Sequence, residues 1–285
     1  MAVSEIYFMT QGINNLQILS TDRCRLGEGV QIDKTGEICG WVDIKSDHYF
    51  IKHGNFQEPR TYPGLIAPSK ILSVDNFQVK VLHKLGISEI NLSNGNIKNL
   101  VTFSTLLSSH RSNDGEIFPD GSIWYSRMGI NQEFGMGSIW RWDADSGEEC
   151  VLEGMTIPNT ILKHPTNDSV YFADSATGSI FVGDAPSLGL KMDSIETFAV
   201  FEKSLGVPDG SCLDAMGNLW NCRWGAGLVI ILSPLGKIVD QIKLPVKYPT
   251  SCKLDSTETS LFVTSANPEE TNDDFSGHTL KIEIA

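Results

Sequence analysis

One spacing constrains this chain more than its composition does. Four turns, centred on Gly36, Gly121, Asn167 and Gly217, each lead into a strand-like segment, at 37–43, 122–128, 168–174 and 218–224. Each segment holds an aromatic: Trp41, Trp124, Tyr171 with Phe172, and Trp220. Eight positions before each turn residue stands a carboxylate or a carboxamide: Glu28, Asn113, Asn159 and Asp209. The layout is plainest at 206–227. Asp209 sits between Pro208 and Gly210, a setting that favours a tight turn. A short apolar run, Cys212 and Leu213, is followed by a turn at 214–217 and then by a strand of near period two.

The gap between the first two turns is about twice the others, and a weaker copy fills it at Asp75-Asn76, followed by 77–81. A last copy lies at 255–258, followed by 260–264. The chain thus divides into six units of roughly 40–50 residues, the size of four-stranded propeller blades. Their expected extents are 28–52, 61–99, 111–152, 156–201, 207–244 and 249–285. No long amphipathic helix competes with this reading; the best run, 102–109, has neither a cap nor a sustained apolar face. The expected fold is all-β: a six-bladed β-propeller of antiparallel blades around a central channel. The repeats run the whole length, so 1–285 is read as a single domain. A strand at 5–10 is expected to complete the last blade and close the ring, which also removes exposed sheet edges. The glycine-rich insertion 129–137 is expected to be a loop on the channel face, able to cover a ligand. The stretch 267–276 reads as an acidic loop.

Rotation about a propeller axis brings equivalent positions of different blades together. Glu28, Asn113, Asn159 and Asp209 should therefore converge near the hub. Carboxylates that close repel unless a cation lies between them. An all-oxygen donor set favours calcium, magnesium or manganese, and zinc also accepts carboxylate oxygen. One divalent ion is the expected cofactor.

Composition narrows the partners. A formal charge of −13 and a pI near 4.8 disfavour nucleic acid and anionic membrane surfaces. No apolar run is long enough to span a bilayer, and residues 1–10 lack the basic start and apolar core of a secretory signal, so a cytoplasmic location is expected. The expected assembly is a monomer or a weak homo-oligomer. Six cysteines stand singly, with no Cys-x-x-Cys pair, and are read as reduced, mostly buried thiols. Cys212 has no histidine in a recognisable relation to it, which argues against a nucleophile. The stretch 143–147 resembles a calcium loop but lacks the distal Glu, so a hairpin turn is expected there. The six histidines fall at no metal-ligand spacing, and no Gly-x-Ser-x-Gly elbow or phosphate-cradling loop is present.

The segments Leu26-Gly27-Glu28-Gly29, Arg111-x-Asn113-Asp114-Gly115, Pro119-Asp120-Gly121, Ile157-Pro158-Asn159, Ala173-Asp174-Ser175, Pro208-Asp209-Gly210 and Pro249-Thr250-Ser251-Cys252 occur in order along the chain. Taken as an ordered set, they resemble the SMP-30/gluconolactonase/regucalcin family. That resemblance implies a metal held by Glu28, Asn159 and Asp209, with Asn113 and Arg111 at the substrate. It also implies hydrolysis of a sugar lactone, of the gluconolactone or aldonolactone type, to the aldonic acid by metal-activated water, Asp209 taking the water's proton. Second strands return toward the same face, so Arg127, Asp174, Arg223 and Trp224 are candidates to line the pocket, with Trp224 stacking on a sugar ring. Two positions depart from the family pattern: Val30 replaces a proline and Thr160 a glycine. Two alternatives stand beside the lactonase reading. One is a non-catalytic calcium-binding propeller of regucalcin type. The other is an esterase or phosphotriesterase of the same fold.

Overall fold

Gly36, Gly121 and Gly217 take φ values of +75°, +85° and +80°. This is the left-handed conformation that closes a tight hairpin without a Cβ clash. The computed structural model describes residues 15–54, 56–104, 108–186 and 189–284. Within them the chain forms six four-stranded antiparallel sheets, the first five ordered by chain position from the hub outward. The first five span residues 27–63, 70–102, 110–155, 158–200 and 207–243. The innermost strands are Gly27–Ile32, Lys70–Val74, His110–Ile117, Pro158–Lys163, Val207–Leu213 and Pro249–Leu254. Among the described residues the only helical segments are two 3-10 turns, Met192–Ser194 and Lys203–Leu205. No helix there is long and apolar enough to cross a membrane.

The sixth sheet is closed by a strand from the start of the chain. Asn15–Ile18 pairs antiparallel with Leu280–Glu283. Ring closure by an early strand is as expected, but the segment is a different one; 5–10 lies outside the described residues. The second blade also departs from expectation. Its first strand begins at Lys70, because Arg60–Pro63 is the outer strand of the first blade. Its inner turn has no glycine. The Asp75 carboxylate instead accepts the N–H groups of Phe77 and Gln78 at 2.7 and 2.9 Å. This side-chain turn hides the repeat signal.

The core lies between blades rather than within one. Val42, Tyr49 and Ile51 of the first blade pack with Ile71, Val79 and Val81 of the second. Leu162, Tyr171 and Ile180 of the fourth pack with Leu219, Ile230 and Leu232 of the fifth. Burying such layers contributes about 25 cal/mol per Å² of apolar surface. All six cysteines are free; five are buried and Cys150 is half-buried.

Candidate active site at the channel mouth

All six innermost strands carry a register break of one extra residue against their partner. Such bulges bend a strand and re-aim a side chain. Glu28 and Asn159 stand just before their breaks, and Asn113 and Asp209 lie inside theirs. The offset in sequence is thus a repeated bulge in structure. It turns these four side chains toward the channel.

The residue after Glu28 shows what the bulge demands. Gly29 has φ of +61°, and a Cβ there would come within 2.5 Å of the Lys70 Cα. Thr160 follows Asn159 in the same place and adopts φ of +58°. A β-branched residue is rarely found in that region. Its hydroxyl donates to the Asp209 carbonyl oxygen at 2.5 Å and lies 2.9 Å from Ser211 Oγ.

A cavity of about 290 Å³ opens at the channel mouth. Glu28, Arg111, Asn113, Asn159, Asp209 and Trp224 all line it. Gln132, from the 129–137 insertion, also reaches it, so that loop lies on the channel face. Ser175 completes the polar wall and Leu26, Ile157 and Val207 supply apolar surface.

A chain of hydrogen bonds runs along the rim through three blades. Arg111 donates to Asn113 Oδ1 at 2.7 Å. Asn113 Nδ2 donates to Asn159 Oδ1 at 2.8 Å. Asn159 Nδ2 donates to Ser175 Oγ at 2.8 Å, and Ser175 donates to the Pro208 carbonyl at 2.6 Å. The chain fixes the Asn159 amide: its nitrogen is committed to Ser175, and its oxygen keeps a second lone pair.

Glu28 and Asp209 are both buried. Burial, the Asp114 charge and weaker opposing contacts leave the Glu28 carboxyl pushed up to about 8. Burial and the Glu28 and Asp114 charges raise Asp209 well above the usual carboxylate range. Burial pulls the Arg111 guanidinium down to about 10, against the opposing pull of Glu28 and Asp209. Two buried acids that both resist ionisation, beside an oriented amide oxygen, suit a bound cation. Among the described residues no three His, Cys, Asp or Glu are grouped to hold a metal. The set that fits is two carboxylates, Glu28 and Asp209, with the Asn159 amide oxygen.

Three candidates sit elsewhere. Arg127 does not line this cavity. It forms a buried ion pair with Glu148, stacks over Phe103 and Trp140, and borders a separate hollow with Gly135 and Glu153. Asp174 accepts the N–H groups of Thr156 and Ile157, both at 2.9 Å, and so clamps the approach to its blade. Arg223 donates to the Leu205 and Gly206 carbonyls at 2.8 and 2.7 Å and lies over Phe201. Trp224 reaches the cavity because it ends its strand, where it also packs on Tyr248 at 4.7 Å.

The spacing did not single out Ser175, Gln132, Lys70 or Asp114. Ser175 and Asp114 sit inside segments already noted, Ala173-Asp174-Ser175 and Asn113-Asp114-Gly115. Lys70 carried no signal in the local sequence.

Residues 26–267 match the SMP-30/Gluconolactonase/LRE-like region family. An L-arabinolactonase of Azospirillum brasilense is 29% identical over 257 residues, 87% of this chain and 83% of that protein. Solved structures share the fold. The calcium-binding protein regucalcin of Agrobacterium tumefaciens aligns with a TM-score of 0.86 at 24% identity, covering 97% of this chain and 94% of that one. A gluconolactonase of Xanthomonas campestris aligns at 0.75 and 18% identity, covering 95% and 89%.

Proposed function

The chain belongs to the SMP-30/gluconolactonase/LRE-like family, and from that premise we propose that it is a divalent-metal-dependent hydrolase that opens a sugar lactone to the aldonic acid. The observation that carries this reading is the pairing of two buried carboxylates, Glu28 and Asp209, in one cavity with an oriented amide and an arginine. The lactonase name of the Azospirillum relative supports the substrate class.

Glu28, Asn159 and Asp209 would hold the ion. When bound, the cation polarises the lactone carbonyl and offsets the charge that builds on its oxygen. The chain's own residues do the rest. Asp209 accepts the proton of the attacking water as the new C–O bond forms, its carboxylate lining the same cavity as Arg111 and Asn113. The tetrahedral carbon then releases the ring oxygen, which takes the proton back as a hydroxyl. Arg111 and Asn113 hold sugar hydroxyls or the ring oxygen in fixed hydrogen bonds. Trp224 offers a ring face to the sugar, and Gln132 a polar contact from above.

The test is a panel of sugar lactones, aryl esters and phosphotriesters, assayed with added calcium, manganese or zinc and with chelator. The expected result is lactone turnover that chelator abolishes and metal restores, and that Asp209→Asn lowers by about 100-fold or more. Metal binding with no lactone turnover would point to a non-catalytic calcium propeller. Turnover of phosphotriesters alone would move the substrate class.

A further inference from the structure

Below the rim, a positive charge is buried beside the acids. Lys70 opens the innermost strand of the second blade, between the strands that carry Glu28 and Asp114. Its backbone lies against Gly29, the residue after Glu28. Its ammonium pairs with Asp114 Oδ1 at 3.0 Å, and the two side chains are 5% and 8% exposed. The same Asp114 oxygen accepts the Gly115 N–H at 2.9 Å, and Oδ2 faces the Ile161 N–H at 3.4 Å. Asp114 is therefore a third acid at the hub, held by a lysine. Burial alone would lower the Lys70 ammonium, but Asp114, Glu116 and Glu28 push it up instead.

We propose that Lys70 is an internal counter-cation that offsets the Asp114 charge buried beside the metal centre of Glu28 and Asp209, lowering the affinity of that centre for calcium. This rests on the metal reading of Glu28, Asn159 and Asp209. The physical ground is charge count. Calcium affinity rises with the number of anionic ligands and falls when a like charge is buried nearby. A hub with Glu28, Asp209 and an unpaired Asp114 is a stronger calcium site than one in which Asp114 is satisfied by an ammonium. Lys70 thereby acts as a specificity-determining and positioning residue, since it touches Asp114 rather than the reacting atoms.

Calorimetric calcium titration of the full chain, with activity set aside, tests this in four variants. Lys70→Met is expected to bind calcium about tenfold more tightly or better. Asp114→Asn, which leaves the ammonium without its partner and closer in effect to Glu28, is expected to bind about tenfold more weakly. The double variant, which removes both charges and spares the fold a lone buried ion, is expected to return near wild type. Should Lys70→Met fail to fold, the comparison of Asp114→Asn with the double variant decides. Equal affinity of those two, or weaker binding by Lys70→Met, would overturn the proposal. A lysine with a merely structural role would not tighten calcium when removed. Asp209→Asn is the control for the underlying reading: loss of binding there, with no effect of Lys70, would sink the counter-cation alone. A wild-type chain that takes up no calcium would overturn both.

Discussion

The Thr160 hydroxyl donates to the backbone carbonyl of Asp209 across the gap between two blades, at 2.5 Å. Ser211 Oγ lies 2.9 Å from the same hydroxyl, and Asn221 Nδ2 donates both to Ser211 Oγ and to the Asp209 carbonyl, at 2.8 and 3.1 Å. A residue held at positive φ against its preference thus anchors the strand that presents Asp209. Strain of this kind costs on the order of 1–3 kcal/mol and persists where its surroundings hold it in place. Thr160→Val keeps the shape and the strain but removes the hydroxyl. It should lower stability by about 1–3 kcal/mol, the cost of leaving buried groups short of a partner. Thr160→Ser should lose much less. Chemical denaturation of both variants checks this; equal losses would show that the hydroxyl is not the anchor.

Stability should depend on pH in a direction set by the hub. Glu28 is raised from 4.5 to about 8, and Asp209 is raised as well. A raised acid stabilises the folded chain fully below its unfolded pKa, and that contribution is lost as pH climbs through the folded value. In chelator the melting temperature should therefore fall between about pH 5 and 8. Added divalent metal favours the ionised acids, so its stabilising shift should grow over the same range. Thermal melts with and without metal at several pH values measure both trends. A metal shift that is largest at low pH would contradict the assignment of these acids.

Arg111 is bonded to Asn113 and to the Ser112 carbonyl, at 2.7 and 2.8 Å. It stands on the substrate side of the rim. Arg111→Ala should raise KM about tenfold through the loss of charge-assisted hydrogen bonds. Removing a positive charge beside two metal-binding carboxylates should leave metal affinity unchanged or tighter. Steady-state kinetics with calorimetry separate these effects; a large loss of metal affinity would take Arg111 out of the substrate role.

Arg127 gives the opposite pattern. Its ion pair with Glu148 is buried, and its guanidinium lies 4.0 and 4.3 Å from the Phe103 and Trp140 ring centres. Arg127→Ala should cost about 3 kcal/mol by leaving the buried Glu148 carboxylate without its counter-charge. KM for the lactone should stay within about twofold, well under the tenfold that 1.4 kcal/mol of lost binding would give. Denaturation and kinetics on one preparation read both.

Arg127 also shows where reasoning from sequence stops. Glu28, Asn113, Asn159 and Asp209 were legible because a hairpin turn locks the register, and a fixed step back from it lands on the bulge each time. The second strand follows a different rule. Its side chains alternate between faces that pack on the two neighbouring blades. Arg127 and Tyr125, two residues apart, accordingly share the face that meets Phe103, while Ser126 turns to the Pro158 carbonyl of the next blade. Only a residue at the strand end, such as Trp224, escapes to the channel mouth. Lys70 was hidden for another reason: a buried lysine matters through its partner, and nothing in the local sequence announces Asp114 from the neighbouring blade. Thr160 was visible as a departure from the family pattern, but its left-handed backbone and its hold on Asp209 needed coordinates.

The pairing of Asn15–Ile18 with Leu280–Glu283 means the ring is closed by a non-covalent seam. Glu28 and Asp209 lie on opposite sides of it, the first soon after the early strand and the second in the blade before the last. An ion shared by those two side chains would act as a rivet across the joint where the circle closes. Proteolysis of the early strand should then be slow in the loaded protein and quick in the stripped one.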